Sequence, residues 1–497
     1  MIRRFGLAAA SLALIAAAPQ KIDMAARILP PAAQPGKAVE PFVTVPRGKI
    51  ALTHVRVIDG TGAPAVADRT VLIDGERIVA VRAGGEAVPV GYRTIDLSGR
   101  TMLPGIVGMH DHQYYIARPN LQPNGHSDSP VMVPQMTFSS PRLYLAMGVT
   151  TLRTAGSVEP YTDLNMKRQI DAGVLPGPHM DVTGPYLEGP GSPFIQMHQL
   201  RDAADATRMV DYWADQGVTS FKAYMNITRA QLQAAITAAH ARGIKVTGHL
   251  CSVTYPEAAA LGIDDLEHGF FVNTQLDPGK APDVCPSSGG DPTLAAMTTG
   301  GPEATALIRT LVDRKVAVTS TLPVFETDSP RYRVLPQRIL DLMTPEARTD
   351  YLYLFQRLAS ANPERRAEGA KLYANAVALE RQFVAAGGLL LAGPDPTGAG
   401  NVLPGFGDLR AIELLVDGGF SPVEAIKIAT LNGASYLGLA SRIGSIAPGK
   451  NADLIVVAGD PSAKIADITN VETVFKDGVG YDSAKLLGSV RGRYGAY

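Results

Sequence analysis

The stretch PGIVGMHDHQYY, residues 104–115, ends an apolar run in His110, Asp111 and His112, and Tyr114 and Tyr115 follow. Residues two apart in a strand point the same way. His110 and His112 therefore project together from the end of a buried strand. A lone histidine there is usually a satisfied core residue. A paired His-x-His is less common in that role and raises a metal site as the alternative.

Pro104 also marks a change of texture. From about residue 45 to 103 apolar and polar residues alternate, as in IALTHVRVIDGTG and RTVLIDGERIVAVRAGG. Asp74-Gly75 is a tight hairpin signal between two such runs. This is a small antiparallel β unit, residues 44–103.

Beyond Pro104, short buried strands alternate with amphipathic helices. Candidate strands end near His112, Arg153, Thr183, Tyr224, His249, His268, Ser320 and Asp395. Thr228 to Gln231 reads as a capping box, with an apolar stripe of Leu232, Ala235, Ile236 and Ala239 and a stop at Gly243. Ser421, Pro422 and Glu424 form a second helix start. Eight β–α units in series predict an α/β fold, a (β/α)8 TIM-like barrel over residues 104–440. The strand pattern returns over 441–497, in RIGSIAPGKNADLIVVAGDP and VETVFKDGVG. The simplest assembly pairs this tail with the N-terminal unit in one β-sandwich, with the barrel inserted between. Three loops, roughly 113–147, 270–303 and 321–385, are long for a barrel and are expected to shape the substrate site. The last carries helical patterning suited to a small subdomain.

Other strand ends add to the histidine pair. TSFKAYMN places Lys222 inside an apolar strand, where a charged amine is costly without a partner. IKVTGHLCS ends a strand at His249, IDDLEHGFF ends the next at His268, and LLLAGPDPTGAG reaches Asp395. Five strand ends thus each offer a metal-compatible group. In a barrel these ends carry the chemistry.

The order His-x-His, Lys, His, His, Asp, distributed over barrel strands, resembles the amidohydrolase superfamily. The phrases GVTSFKAY, AAHARGIKVTGHL and ALGIDDLEHG are similar to its imidazolonepropionase-like and prolidase-like branch, as is ATLNGASYLGLASRIGSIAPGKNADLIVV. The resemblance covers most of residues 45 to 480. It implies two divalent metal ions. His110 and His112 would hold the more buried one with Asp395, and His249 and His268 the second. Lys222, carboxylated by CO2, would bridge both as an anionic oxygen ligand. An unmodified lysine would instead favour a single-metal site. Zinc suits these donors, and manganese, iron or cobalt fit the same ligand types. Asp395 would orient the attacking water, take its proton and deliver it to a leaving nitrogen.

The implied activity is hydrolysis of an amide or peptide C–N bond in a small molecule, a dipeptide or N-acyl amino acid. Cyclic amide, lactone and phosphotriester hydrolysis use the same two-metal logic. A non-catalytic scaffold relative is the rival from another class, but such proteins usually lose ligands and all six are present. Tyr224, two positions beyond Lys222, is a substrate-binding candidate or a packing residue. Tyr114, Tyr115 and Arg153 are further candidates, Arg153 through a substrate carboxylate or else through an acidic neighbour in a structural pair. Tyr186 and His198 are weaker. His54, His126, His179 and His240 read as structural or surface groups.

Arg3 and Arg4 ahead of the apolar run Phe5–Ala18 predict a secretory signal peptide, residues 1–18, and export to the periplasm or medium. The run is too short for comfortable membrane spanning, so no stable insertion is expected after cleavage. Residues 19–43, rich in Pro and Ala, read as a loose linker. A net charge of −1 gives no electrostatic case for nucleic acid. The oligomeric state, a homo-oligomer included, is left open. Cys251 and Cys285 lie in loops after neighbouring strands, so a disulfide closing 285 − 251 = 34 residues is expected beside the site, with two free thiols as the alternative.

Overall fold

The computed structural model describes residues 21–114, 120–121, 127–128, 133–192, 194–329, 332–397 and 400–496. The expected signal segment, Tyr115 and His126 lie outside them.

Eight short strands alternate with helices through the middle of the chain. They are β1 (Ile106–Asp111), β2 (Val149–Thr154), β3 (His179–Asp181), β4 (Ser220–Ala223), β5 (Lys245–Gly248), β6 (Asp265–Glu267), β7 (Ala317–Ser320) and β8 (Leu390–Ala392). They form a three-stranded sheet, β3-β2-β1, and a five-stranded sheet, β4-β5-β6-β7-β8. Every pairing is parallel. Nearly every strand residue is buried, as parallel strands covered on both faces require.

Isolated main-chain contacts run from residues beyond a strand of one sheet to a strand of the other. After β3, Thr183 bridges Ser220 and Leu187 bridges Ala223, both in parallel sense. After β8, the Asp395 N–H donates to the His110 carbonyl at 3.0 Å. Glycine is needed at this close approach. A Cβ on Gly393 would lie 2.3 Å from the His110 nitrogen.

The helices follow the sequence signals. Thr228 and Gln231 exchange both capping-box hydrogen bonds ahead of Arg229–Ala241, and Leu232, Ala235, Ile236 and Ala239 are its buried face. Ser421 and Glu424 do the same for Pro422–Lys427. Among the described residues, no helix is long and apolar enough to cross a membrane.

The N- and C-terminal strands combine in one nine-stranded sheet. Leu454–Ala458 pairs antiparallel with Arg100–Pro104, which leads on to Gly48–Val57, Val66–Gly75 and Arg77–Ala83. The hairpin expected at Asp74-Gly75 is present, with Asp74 opposite Arg77 and Gly75 at φ +62°. Residues of both ends share an apolar cluster, including Leu52, Ile73, Met102, Leu454 and Phe475.

Two expectations change. The lead-in is packed chain where it is described. Asp23 caps a short helix, Met24–Ile28, and Ile28 and Leu29 are buried against Val107, Met109, Ala317 and Leu391. Apolar residues inside a Pro/Ala-rich segment outweighed its loop-like composition. The third long loop holds helices Pro345–Ala359 and Pro363–Ala385, but they do not stand apart. Leu379 and Phe383 join the main core, and Tyr351 packs with Leu403 and Tyr494.

Candidate metal centre and active site

All six ligand candidates meet at the C-terminal ends of the parallel strands. His110 is the penultimate residue of β1, and His112 follows the strand. Lys222 lies in β4. His249 and His268 come one residue after β5 and β6, and Asp395 three residues after β8. His268 and Asp395 both take left-handed backbone conformations, φ +69° and +51°. Such φ values are uncommon outside glycine and cluster at functional sites. Local contacts hold them. The Tyr255 hydroxyl reaches the carbonyls of Glu267 and Gly269, and Thr397 donates to the Asp395 carboxylate at 2.9 Å.

The donor atoms converge. His112 Nε2 is 3.2 Å and His110 Nε2 3.7 Å from Asp395 Oδ1, and His268 Nδ1 is 3.8 Å from Asp395 Oδ2. Lys222 Nζ lies 3.2 Å from His110 Nε2. The ring of His268 is 4.6 Å from that of His110 and 4.3 Å from that of His249. His110, His268 and Asp395 each offer a ligand atom within 4.8 Å of the others.

The electrostatics suit a cation. Burial lowers the pKa of all four histidines, that of His249 to about 3, so their imidazoles are neutral. Burial also lowers the pKa of the Lys222 ammonium. Burial works against ionised Asp395, but His110, His112 and Lys222 outweigh it and hold its pKa below the usual range. His112 Nδ1 and His268 Nε2 are buried with no hydrogen-bond partner. Neutral imidazoles, a carboxylate and a buried amine are a donor set for a zinc-like ion.

An arc of rings borders the ligands. Tyr114 stacks on His112 at 4.5 Å and its hydroxyl meets that of Tyr186 at 2.6 Å. Tyr186 packs on Tyr224 at 4.8 Å, and Tyr224 on His249 at 5.1 Å. Lys222 Nζ sits 5.6 Å from the Tyr186 ring and 6.0 Å from the Tyr224 ring. Tyr114 and Tyr224, both substrate-binding candidates from the sequence, thus border the ligand histidines. Tyr186, a weaker candidate from the sequence, is part of this arc. Its signal was its place just past a strand end in a loop whose path the sequence does not reveal.

Arg153 is a structural group. It does not face a substrate cleft but is buried among the strands, 1% exposed, with its guanidinium on Asp265 and Glu267 at 2.7 and 2.9 Å. The acidic-neighbour alternative holds. Tyr144 was not anticipated. Its hydroxyl donates to the His112 carbonyl at 2.8 Å and accepts from the His112 N–H at 3.1 Å, clamping that backbone.

Cys251 and Cys285 form a disulfide, Cα to Cα 4.8 Å, two residues beyond His249. His54, His198 and His240 pair with Asp68, Asp205 and Asp264 away from the site. A second buried group, His179, Asp453 and Asp477, sits where β3 meets the C-terminal hairpin. Lys476 lies 3.8 Å from Asp477 there, and Arg47 donates to the Asp477 carbonyl. His179 and Lys476 meet the Asp477 carboxylate, and the Asp477 N–H donates to Asp453 Oδ1 at 2.7 Å, so the cluster ties these elements together.

Residues 101–480 match the model of the Amidohydrolase family. An adenine deaminase of Paracoccus denitrificans is 41% identical over 79 residues, 16% of this chain and 12% of that protein. The chain therefore spans only about an eighth of that relative's length in the match. An imidazolonepropionase of Streptomyces griseus is 24% identical over 252 residues, 43% of this chain and 61% of that protein. Among solved structures, a Xaa-Pro dipeptidase with methionine bound in its active site superposes with a TM-score of 0.65 at 20% identity, covering 88% of this chain and 100% of that one.

Proposed function

From the premise that this chain belongs to the amidohydrolase family, we propose that it is a metal-dependent hydrolase of C–N bonds. The observation that carries the reading is that nitrogens of His110, His112 and His268 converge within 3.2–3.8 Å of the Asp395 carboxylate, with Lys222 Nζ 3.2 Å from His110 Nε2 and the His249 ring beside that of His268. We read the centre as binuclear, with zinc the first choice, His110, His112 and Asp395 holding one ion, and His249 and His268 the other. Lys222 would be carboxylated. The amine is buried beside His110 with no carboxylate in ion-pair range among the described residues, and burial lowers its pKa, which favours the unprotonated form that reacts with CO2.

When bound, the ions would acidify a water and polarise the substrate carbonyl. Asp395 orients that water, accepts its proton and returns it to the leaving nitrogen. Tyr114 and Tyr224 line the substrate's approach. The preferred substrate is a dipeptide or N-acyl amino acid, in keeping with the dipeptidase likeness. The names of the imidazolonepropionase and adenine deaminase relatives favour a second reading, a C–N bond in a cyclic substrate.

In the same proposal the two parallel sheets close as a (β/α)8 barrel over 104–440, and 44–103 with 441–497 fold over as a sandwich. The N-terminal segment, 1–18, directs export. Metal analysis of the purified chain, then a screen against dipeptides, N-acyl amino acids and cyclic amides, tests the function. A chain that purifies and reconstitutes without metal overturns it.

A further inference from the structure

The four ligand histidines differ in what stands behind them. His268 Nδ1 meets the Thr321 hydroxyl at 2.9 Å, and His112 Nδ1 has no partner. His110 is different. Its Nδ1 donates to Glu267 Oε2 at 2.7 Å, both side chains being fully buried. The other oxygen of that carboxylate, Oε1, accepts from Arg153 Nη2 at 2.9 Å. The same Nη2 reaches Asp265 Oδ2 at 2.7 Å, and Arg153 Nε donates to the Met109 carbonyl at 2.8 Å. The guanidinium is thus anchored to the residue just before His110 and to both carboxylates of β6.

We infer that Arg153 and Glu267 are positioning residues that set how tightly His110 holds a metal ion. The inference rests on the metal-centre reading above. With Nδ1–H committed to Glu267, the metal-facing atom of His110 is the bare Nε2, which looks toward Lys222 Nζ at 3.2 Å and Asp395 Oδ1 at 3.7 Å. A carboxylate behind a ligating imidazole fixes its tautomer and ring orientation and enriches the metal-facing nitrogen. Arg153 keeps that carboxylate in place inside the protein. Stability alone does not call for such a group, since an apolar replacement of a buried ion pair is often as stable.

The test is zinc affinity of the chelator-stripped full chain, measured by competition with a chromophoric chelator, for wild type, Glu267→Gln and Arg153→Lys. Glu267→Gln keeps the shape and an acceptor for His110 but loses the charge. It is expected to weaken the tighter zinc site about tenfold to hundredfold. Arg153→Lys, which keeps the charge but loses the fork, gives a smaller loss. The cobalt-loaded Glu267→Gln protein shows a shifted ligand-field spectrum. Circular dichroism establishes that each variant is folded. Wild-type affinity and an unchanged cobalt spectrum in either folded variant overturn the inference while leaving the hydrolase reading intact. A wild-type chain that binds no zinc overturns both.

Discussion

Tyr114 and Tyr186 meet hydroxyl to hydroxyl at 2.6 Å although 72 residues separate them. Both are buried, so neither hydroxyl has bulk water in reserve. Removing one partner strands the other, which typically costs about 1–3 kcal/mol. Tyr186→Phe and Tyr114→Phe are each expected to lower stability by about that amount. The double variant should lose clearly less than the sum, because it leaves no stranded group. Urea unfolding of the three variants and wild type measures the coupling. Strict additivity would show that the contact does not hold the pair.

Asp395 is the group expected to move the proton. Asp395→Asn keeps the shape and a metal-facing oxygen but has no carboxylate to accept a proton. Turnover on a substrate from the screen is expected to fall about 10²–10⁴-fold. Metal content and the unfolding midpoint should stay near wild type. Near-normal turnover at full metal content contradicts the role.

Glu380 carries a pH dependence. It lies in Pro363–Ala385, bonds the Ser320 hydroxyl at 2.9 Å, and burial pushes its carboxyl up to about 8 from an ordinary 4.5. The folded state therefore binds a proton that the unfolded state has released between pH 4.5 and 8. Stability attributable to this group is full below the unfolded value and is lost as pH rises through that window. Glu380→Gln removes the titration. The variant should gain on wild type by up to about 4 kcal/mol at pH 9 relative to pH 4. Thermal scans at the two pH values decide it, and a pH-independent difference would refute the buried-acid account.

The disulfide closes 34 residues and ties the loop after β6 to the chain just past His249. Denatured, unreduced protein should show no titratable thiol, since the sequence has two cysteines. Cys251→Ser with Cys285→Ser is expected to cost about 4 kcal/mol on the chain-entropy model. Denaturant midpoints of oxidised wild type and the double variant supply the comparison.

Much of this molecule is written locally. The parallel strands, both capping boxes, the Asp74-Gly75 hairpin and the six ligand candidates follow from side-chain period and from residue types at strand ends. Such signals span a few residues and need no knowledge of neighbours. Partner choice across the chain does not work that way. Whether Arg153 meets a substrate or an acid depended on Glu267, 114 residues away, arriving on a strand of the other parallel sheet with its carboxylate turned toward both Arg153 and His110.

Tyr186 and Tyr144 were unreadable for the same reason, since each acts through a hydroxyl whose partner is 72 or 32 residues distant. The lead-in at Ile28 and Leu29 shows the converse. Its composition reads as loop, and only the apolar surface offered by Val107, Met109 and Leu391 makes it core. The sequence by itself determined which chemical groups stand at the strand ends. The tertiary structure alone decided which of them face one another, because hydrogen bonds, burial and charge pairing depend on distances that the order of residues does not contain.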